Sequence, residues 1–297
     1  MRRVWEEGDE RLDRTGVGTR SLFGETLRFD LRDGRLPLLT TKRVYWKTAA
    51  RELLWFLSGG RNIRELVTQG VRIWTDWPLA KYRAETGEDI SQEEFEARIV
   101  ADAAFAERWG DLGPVYGAQW RRWPRYVEGD DGSVSRDAIG HDQIAAMVKS
   151  LRENPASRRH IFTGWNVAEL DQMALPPCHM TYQFHVTSAG ELSCLLHQRS
   201  CDVALGLPFN LFEAALLTAM LAQQCDLTPR ELLWVGGDVH LYLNHGELVA
   251  EQLARVPTGE PRLRLLRKPP SIDDYRIEDF AVEGYAPHAP ISAPIAV

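Results

Sequence analysis

Residues 181–197 read TYQFHV, TSAG and ELSCLLH, and this stretch gives the clearest local indication of the fold. Its first and last segments alternate apolar and polar side chains, which is the pattern of strands with one buried face. The four residues between them are typical of a turn. The sequence therefore predicts a hairpin here. Further along, the apolar run 211–221 is too long for an ordinary strand and too short to cross a membrane, which predicts a buried core helix.

Other elements follow from spacing. Apolar residues at helical intervals predict a helix over 45–57, and short strands are expected within 22–31, at 233–235 and at 263–266. Residues 78–110 differ in composition, being rich in Ala, Glu and Arg. They contain a capping box at 91–94 (SQEE), apolar residues 95, 99 and 103 at helical spacing and a terminating glycine at 110. We expect a helical insertion on the outside of one large domain.

Composition bounds the function. The 297 residues are 44% apolar and 26% charged with a formal net charge of −7, the profile of an ordinary globular chain. The start MRRVWEE lacks an apolar signal region, so a cytoplasmic protein without a membrane partner is expected. Four cysteines without a C-x-x-C pair argue against a disulfide framework and a zinc site. The acidic balance favours a small anionic ligand over broad binding to nucleic acid.

The residues just before the hairpin, 176–179 (PPCH), carry the strongest chemical signal. A free cysteine usually packs in a core as a small apolar side chain, and we keep that interpretation for Cys194, Cys201 and Cys225. Cys178 differs, because two prolines restrict the backbone before it and a histidine follows it. A thiol becomes a useful nucleophile when nearby positive charge or hydrogen-bond donors favour its thiolate form.

A dense polar cluster follows the hairpin, at 198–202 (QRSCD), 207–210 (LPFN) and 240–242 (HLY). The sequence shows no spacing typical of metal ligands. No glycine-rich nucleotide-binding loop precedes a predicted helix. The arginines at 14, 158, 159 and 199 suit one phosphate through bidentate contacts. The residues thus point to a phosphorylated molecule attacked by a thiolate.

Five motifs occur together and in order: 13–16 (DRTG), 176–179, 198–202, 207–210 and 237–242 (GDVHLY). In this combination the chain closely resembles the thymidylate synthase family, from about residue 13 to the APIAV ending. The resemblance implies an α+β fold, a single catalytic domain over 1–297 with a mixed β-sheet packed against helices, and a sheet face that forms a homodimer interface. It also implies that the insertion at about 78–110 is optional.

The same resemblance implies an enzyme that reductively methylates dUMP to dTMP for de novo dTTP synthesis. The co-substrate would be 5,10-methylenetetrahydrofolate, which gives both the one-carbon unit and a hydride and leaves as dihydrofolate, with no metal and no flavin. Cys178 would add to carbon 6 of the uracil ring, because carbon 5 is a poor nucleophile until that addition turns the ring into an enolate. RNA binding is not indicated.

The resemblance assigns residues to three sets. The catalytic set is Cys178, Glu52, Tyr116, His179, Arg199 and Asp202. The dUMP set is Arg14, Arg158, Arg159, Arg199, Ser200, Cys201, Asp202, Asn210, His240, Leu241 and Tyr242. The folate set is Tyr45, Ile73, Trp74, Trp77, Leu175, Asp202, Gly206, Phe209, Ala296 and Val297.

Within these sets the implied roles differ. Arg158 and Arg159 would reach the phosphate in the other subunit's site. Asn210 would contact the uracil edge, while the C-terminal residue Val297 would help to close the site over the folate and exclude water. Glu52 is otherwise an ordinary edge residue of an apolar helix, and the resemblance gives it a place, with Tyr116 and His179, in a water network that moves protons.

Three alternatives remain open from the sequence. A relative that hydroxymethylates a nucleotide would use water in place of hydride; the amide at Asn210 favours uracil over cytosine, and Trp74 is expected to shield the intermediate from water. A binding protein that grips RNA would leave the set around Cys178 unexplained. A cysteine hydrolase would need His179 or His240 as a base toward the thiol.

Three features depart from the family pattern. Tyr45 stands where many members have histidine near the folate, His197 replaces a common tyrosine, and the N-terminal segment before Arg14 is short. None of the three departures concerns the nucleophile or the phosphate.

Overall fold

The computed structural model describes residues 1–12 and 16–294. Internal contacts divide the chain into two compact units. Unit 1 consists of Met1–Ala50, Ser150–Ile161 and Cys178–Val297, and unit 2 consists of Arg51–Lys149 and Phe162–Pro177. The single catalytic domain expected from the sequence stays a prediction.

The described residues contain both helices and strands, as expected for an α+β fold. The α-helices are α1 (Arg2–Glu7), α2 (Trp46–Leu57), α3 (Arg64–Thr68), α4 (Asp76–Thr86), α5 (Gln92–Ala101), α6 (Ala103–Trp109), α7 (Tyr116–Arg121), α8 (Gln143–Glu153), α9 (Gly206–Gln224) and α10 (Gly246–Ala254). The strands are β1 (Asp9–Arg11), β2 (Thr19–Asp30), β3 (Tyr126–Glu128), β4 (Val134–Arg136), β5 (Ile161–Thr163), β6 (His179–Val186), β7 (Glu191–Asp202), β8 (Thr228–Tyr242), β9 (Arg262–Leu265) and β10 (Phe280–Glu283). Within 1–12 and 16–294, no helix has the length and apolar character that a membrane span requires.

A six-stranded sheet runs in the order β1, β2, β8, β7, β6, β5. Strands β6 and β7 pair antiparallel, and so do β2 and β8, whereas β7 and β8 run parallel. The expected mixed sheet is therefore confirmed. The predicted hairpin is also confirmed: Gly190 adopts a φ of 77°, which glycine reaches without strain, and the strands meet from Val186 opposite Leu192.

Helix α9 supplies the core of unit 1. It packs on β7 and β8, and Phe212 and Leu217 are fully buried. From the sheet, Tyr182, Leu196 and Trp234 are buried as well. The prediction of a buried helix at 211–221 is confirmed, and the helix extends beyond that run at both ends because its flanking residues continue the same packing.

The insertion of unit 2 is helical, as predicted, and Ser91 and Glu94 form the expected capping box. The predicted pattern ran through residue 103, but α5 ends at Ala101 and a new helix begins. The reason is Asp102, whose side chain accepts hydrogen bonds from the backbone of Ala104 (2.8 Å) and Phe105 (3.1 Å) and so caps α6. Helix α6 then ends at the predicted glycine, Gly110.

Replacing Leu217 with alanine should lower the free energy of unfolding by about 2–5 kcal/mol, because the side chain is fully buried and the lost methyl groups leave a cavity. Urea unfolding followed by circular dichroism measures the change. Leu266→Ala is the matched control, since Leu266 is 62% exposed, and it should change the free energy by no more than about 0.5 kcal/mol. Equal effects of the two substitutions would contradict the burial of α9.

Candidate active site

Cys178 immediately precedes β6 and lies beside an arginine of β7. The backbone N–H of Arg199 donates to the Cys178 carbonyl at 2.8 Å, and the Arg199 Nη2 atom is 3.9 Å from Cys178 Sγ. A guanidinium at this distance favours the thiolate over the thiol. The pairing of β6 with β7 therefore brings together the two residues that the sequence separated by the whole hairpin.

The other three cysteines have a different environment. Cys194, Cys201 and Cys225 are buried, whereas Cys178 is only partly buried. Burial raises the pKa of the Cys194 thiol to about 12 and also raises the pKa values of Cys201 and Cys225. These thiols stay protonated near neutral pH. Cys178 therefore differs from the other cysteines in its environment as well as in its sequence motif.

His179 follows the nucleophile but lies in the protein interior. It is 3% exposed, and its Nδ1 atom is 2.9 Å from the Tyr182 hydroxyl. Burial lowers its pKa from 6.5 to about 3, so the imidazole is neutral at physiological pH. A cysteine–histidine hydrolase needs an imidazole that readily becomes an imidazolium. The environment of His179 therefore argues against this histidine as the base of a cysteine hydrolase.

The amide of Asn210 is held by a chain of hydrogen bonds with a fixed direction. The indole of Trp234 can only donate, and its Nε1 is 2.8 Å from Gln198 Oε1. Gln198 must therefore present its Nε2, which donates to Asn210 Oδ1 at 2.9 Å. The orientation of both amides follows from the indole, so Asn210 is prepared for a partner with a matching donor and acceptor edge.

Asp202 closes β7 and prepares the start of α9. Its Oδ1 accepts from the backbone N–H groups of Ala204 (2.8 Å) and Leu205 (3.3 Å). The buried ammonium of Lys42 donates to the Ala204 carbonyl. Burial lowers the pKa of Lys42, and the nearby charge of Asp202 opposes that change. This turn is thereby fixed from both sides, with Gly206 at the first position of the helix.

Strand β8 places a second row of polar residues beside β7. In the parallel register, Ser200 lies opposite Asp238 and Asp202 lies opposite His240. The His240 Nδ1 atom is 3.1 Å from Asp238 Oδ1, and the ring centroids of His240 and Tyr242 are 5.3 Å apart. Leu241, between them, is fully buried. Two strands thus bring together most residues of the 198–202 and 240–242 motifs.

The remaining described residues expected in unit 1 differ in their exposure. Arg158 and Arg159 are exposed on the segment between α8 and β5. Tyr45 precedes α2 and is 56% exposed. Cys201 is buried, while Ser200 and Phe209 are partly buried. Three expected site residues lie outside the described part of the chain: Arg14, Ala296 and Val297.

Unit 2 holds a buried carboxylate within an aromatic group. Glu52 is 7% exposed, and its Oε1 accepts a 2.6 Å hydrogen bond from the Trp74 indole. The ring of Trp74 lies 5.4 Å from that of Trp77 and 6.1 Å from that of Tyr116, centroid to centroid. Trp77, Ile73 and Leu175 are partly exposed. Aromatic surface of this kind suits a flat heteroaromatic ring such as a pterin.

Comparison with known proteins shows the family of this chain. The family model described as thymidylate synthase matches residues 1–297. The thymidylate synthase of Sphingopyxis alaskensis is 71% identical over the whole chain, which covers 96% of that protein. Those of Novosphingobium aromaticivorans and Rhizorhabdus wittichii are 69% and 62% identical over the whole chain, which covers 94% and 96% of them. This chain belongs to the thymidylate synthase family. It is thus an enzyme, a methyltransferase of nucleotide biosynthesis.

Asp238, Trp234 and Gln198 received no role from the sequence. Asp238 contacts His240, while Trp234 donates to Gln198, which in turn donates to Asn210. The available signal was the two-residue period of a strand, which puts Asp238 and His240 on one face. The contact between Asp238 and His240 was not predicted because only the short strand 233–235 was expected, whereas β8 spans Thr228–Tyr242.

The neutral state of His179 predicts a pH dependence. Its pKa is about 3 in the folded chain and 6.5 as the ordinary value, so its contribution to stability is complete above pH 6.5 and is lost as the pH falls toward 3. The free energy of unfolding of the native chain should fall more steeply across this window than that of a His179→Gln variant. Urea unfolding at several pH values measures both slopes, and equal slopes would show that His179 is not buried in the neutral form.

Proposed function

We propose that this chain reductively methylates dUMP to dTMP with 5,10-methylenetetrahydrofolate, releasing dihydrofolate, and that Cys178 is its nucleophile. The observation that carries the proposal is the Arg199 guanidinium 3.9 Å from the Cys178 thiol. Family membership supports the reaction, since thymidylate synthases are the relatives that match the full chain.

The thiolate starts the reaction at the pyrimidine. Cys178 Sγ adds to carbon 6 of uracil, the carbon 5–carbon 6 double bond opens, and carbon 5 gains the electron density of an enolate. Arg199 keeps the sulfur ionised before the addition and also contacts the phosphate. The reduced folate supplies the one-carbon unit and the hydride. At the end the sulfur leaves carbon 6, and the double bond of the ring is restored.

The nucleotide is read at three places. The phosphate is held by arginines and a hydroxyl, namely Arg14, Arg158, Arg159, Arg199 and Ser200. The uracil edge is read by Asn210, whose amide direction Gln198 and Trp234 impose. The ribose 3′-hydroxyl is bound by His240 and Tyr242. Cys201, Asp202 and Leu241 contribute backbone contacts and shape, which agrees with the burial of Cys201 and Leu241.

Proton movement at O4 and carbon 5 is assigned to Glu52, Tyr116 and His179. Glu52 is buried in unit 2, and His179 is buried and neutral in unit 1, so each can hold water for proton transfer without adding a positive charge. Asp202 binds the pterin ring. Aromatic and apolar side chains cover the folate: Tyr45, Ile73, Trp74, Trp77, Leu175, Gly206, Phe209, Ala296 and Val297.

A hydroxymethylating enzyme is the nearest alternative. It would let water quench the exocyclic methylene, and its cytosine-specific form would need an acidic group at position 210. Here the fixed amide of Asn210 and the buried Trp74 favour uracil and hydride transfer.

We further propose that the enzyme is a homodimer joined through a face of the sheet. Leu195 pairs with Leu233, and the neighbouring Val235 pairs with His197, on the side opposite to Trp234. These apolar side chains are only partly buried. A second copy would cover them, and it would receive Arg158 and Arg159 of the first copy in its phosphate site.

The reaction is tested by incubating the protein with reduced folate and either dUMP or dCMP. Dihydrofolate absorbance should rise with dUMP alone, and dTMP should appear in equal amount. Cys178→Ser should abolish both products, because an alcohol at this position is not ionised near neutral pH, while dUMP binding measured by calorimetry survives. Cys225→Ser is the matched control and should retain turnover, since Cys225 follows the C-terminal end of α9, whereas Asn210 lies near the N-terminal end of that helix. A hydroxymethylated nucleotide without dihydrofolate would move the assignment to the alternative.

The dimer is tested by mixing two inactive variants, Cys178→Ser and Arg159→Ala. If Arg159 serves the partner's site, a mixed dimer has one site that lacks both defects and one that carries both. Random exchange of subunits should then restore activity at about a quarter of all sites. Mixing Cys178→Ser with Cys178→Ala should restore nothing, because each site still lacks its nucleophile. No recovery with Arg159→Ala would contradict the shared site.

A further inference from the structure

The carboxylate of Asp238 on β8 contacts strand β1 and also His240, for which we propose a contact with the ribose. Its Oδ2 forms an ion pair with Arg11 on β1, and its Oδ1 is 3.1 Å from His240 Nδ1. Arg11 lies three residues before Arg14 in the sequence, and His240 lies two residues after Asp238 on the same face of β8. One side chain thus holds both neighbours, each through its own oxygen.

This arrangement decides where the imidazole carries its proton. A carboxylate has only acceptor atoms, so the hydrogen bond to Oδ1 requires the proton on His240 Nδ1. In the neutral ring the Nε2 atom is then the acceptor. An unprotonated Nε2 accepts a hydrogen bond from a hydroxyl group. It forms no hydrogen bond with a group that is itself only an acceptor.

We propose that Asp238 is a positioning residue that sets the His240 tautomer and thereby makes the site select a ribose 3′-hydroxyl as a hydrogen-bond donor. Arg11 fixes the orientation of the carboxylate. The inference rests on the proposed contact of His240 with the ribose, and it adds the direction of that hydrogen bond and the residue that imposes it.

The test uses Asp238→Asn and two nucleotides. Arg11 can only donate, so the new amide turns its oxygen to Arg11 and its NH₂ to His240 Nδ1. The ring proton then moves to Nε2, which no longer accepts. The probe is the 3′-fluoro analogue of dUMP, because fluorine cannot donate a hydrogen bond. Native protein should bind dUMP about tenfold more tightly than this analogue, and Asp238→Asn should reduce the preference to about twofold or less.

A second variant separates orientation from loss of structure. In Arg11→Gln/Asp238→Asn the amide is free to turn its oxygen back to His240, so the double variant should recover a preference of at least fivefold, against about twofold in the single variant. A structural defect caused by Asp238→Asn would not be repaired by a second substitution. The matched control is Glu231→Gln, which removes another carboxylate of β8 from an ion pair, with Arg28, and should keep the native preference.

The outcomes distinguish this inference from the function on which it rests. Calorimetry gives the two dissociation constants for each variant. If native protein does not prefer dUMP, or if His240→Ala leaves the preference intact, the ribose contact itself is wrong and the inference falls with it. The other case is that the native protein shows the preference and His240→Ala loses it, as expected. If Asp238→Asn then keeps the full preference, or the double variant recovers none of it, only the role of Asp238 is overturned.

Discussion

The register of strand β7 is the constraint on which the site depends. Along one edge it places Gln198 opposite His179, and along the other it places Asp202 opposite His240. Because side chains alternate along a strand, a shift by one residue would send each of them to the opposite face. The positions of Cys178, Arg199, Asn210 and His240, for which we propose roles in the site, therefore all depend on the register of this one strand. Packing of α9 against β7 and β8 holds that register, since one face of the sheet is buried beneath the helix.

Burial, more than sequence position, decides which ionisable groups can react. Cys201 lies on β7, Cys178 immediately precedes the adjacent strand β6, and both belong to the motifs singled out in the sequence. Of these two, only Cys178 combines partial exposure with a guanidinium neighbour. His179 adjoins the thiol in sequence, but its burial removes it from ordinary base chemistry. The guanidinium beside the Cys178 thiol comes from a residue twenty-one positions away along the chain, which only the fold brings close.

Local patterns in the sequence predicted local structure well. The hairpin, the buried helix at 211–221 and the capping box at Ser91 each follow from a period or a short motif, and all are confirmed. The length of β8 did not follow, because Gly236 and Gly237 interrupt its apolar pattern and only pairing with β2 and β7 on both sides makes the strand continuous. The same error hid Asp238. The roles of single residues came from the family resemblance, since contacts across 227 positions, as between Arg11 and Asp238, leave no local signal.

The unequal state of the four thiols has a practical consequence. Three of them are buried and held protonated, so an alkylating reagent added to the native enzyme at neutral pH should find one reactive sulfur per chain. The number of equivalents consumed then counts competent active sites, independent of total protein. The concentration of competent active sites in an enzyme preparation could therefore be measured by titrating the reactive thiol.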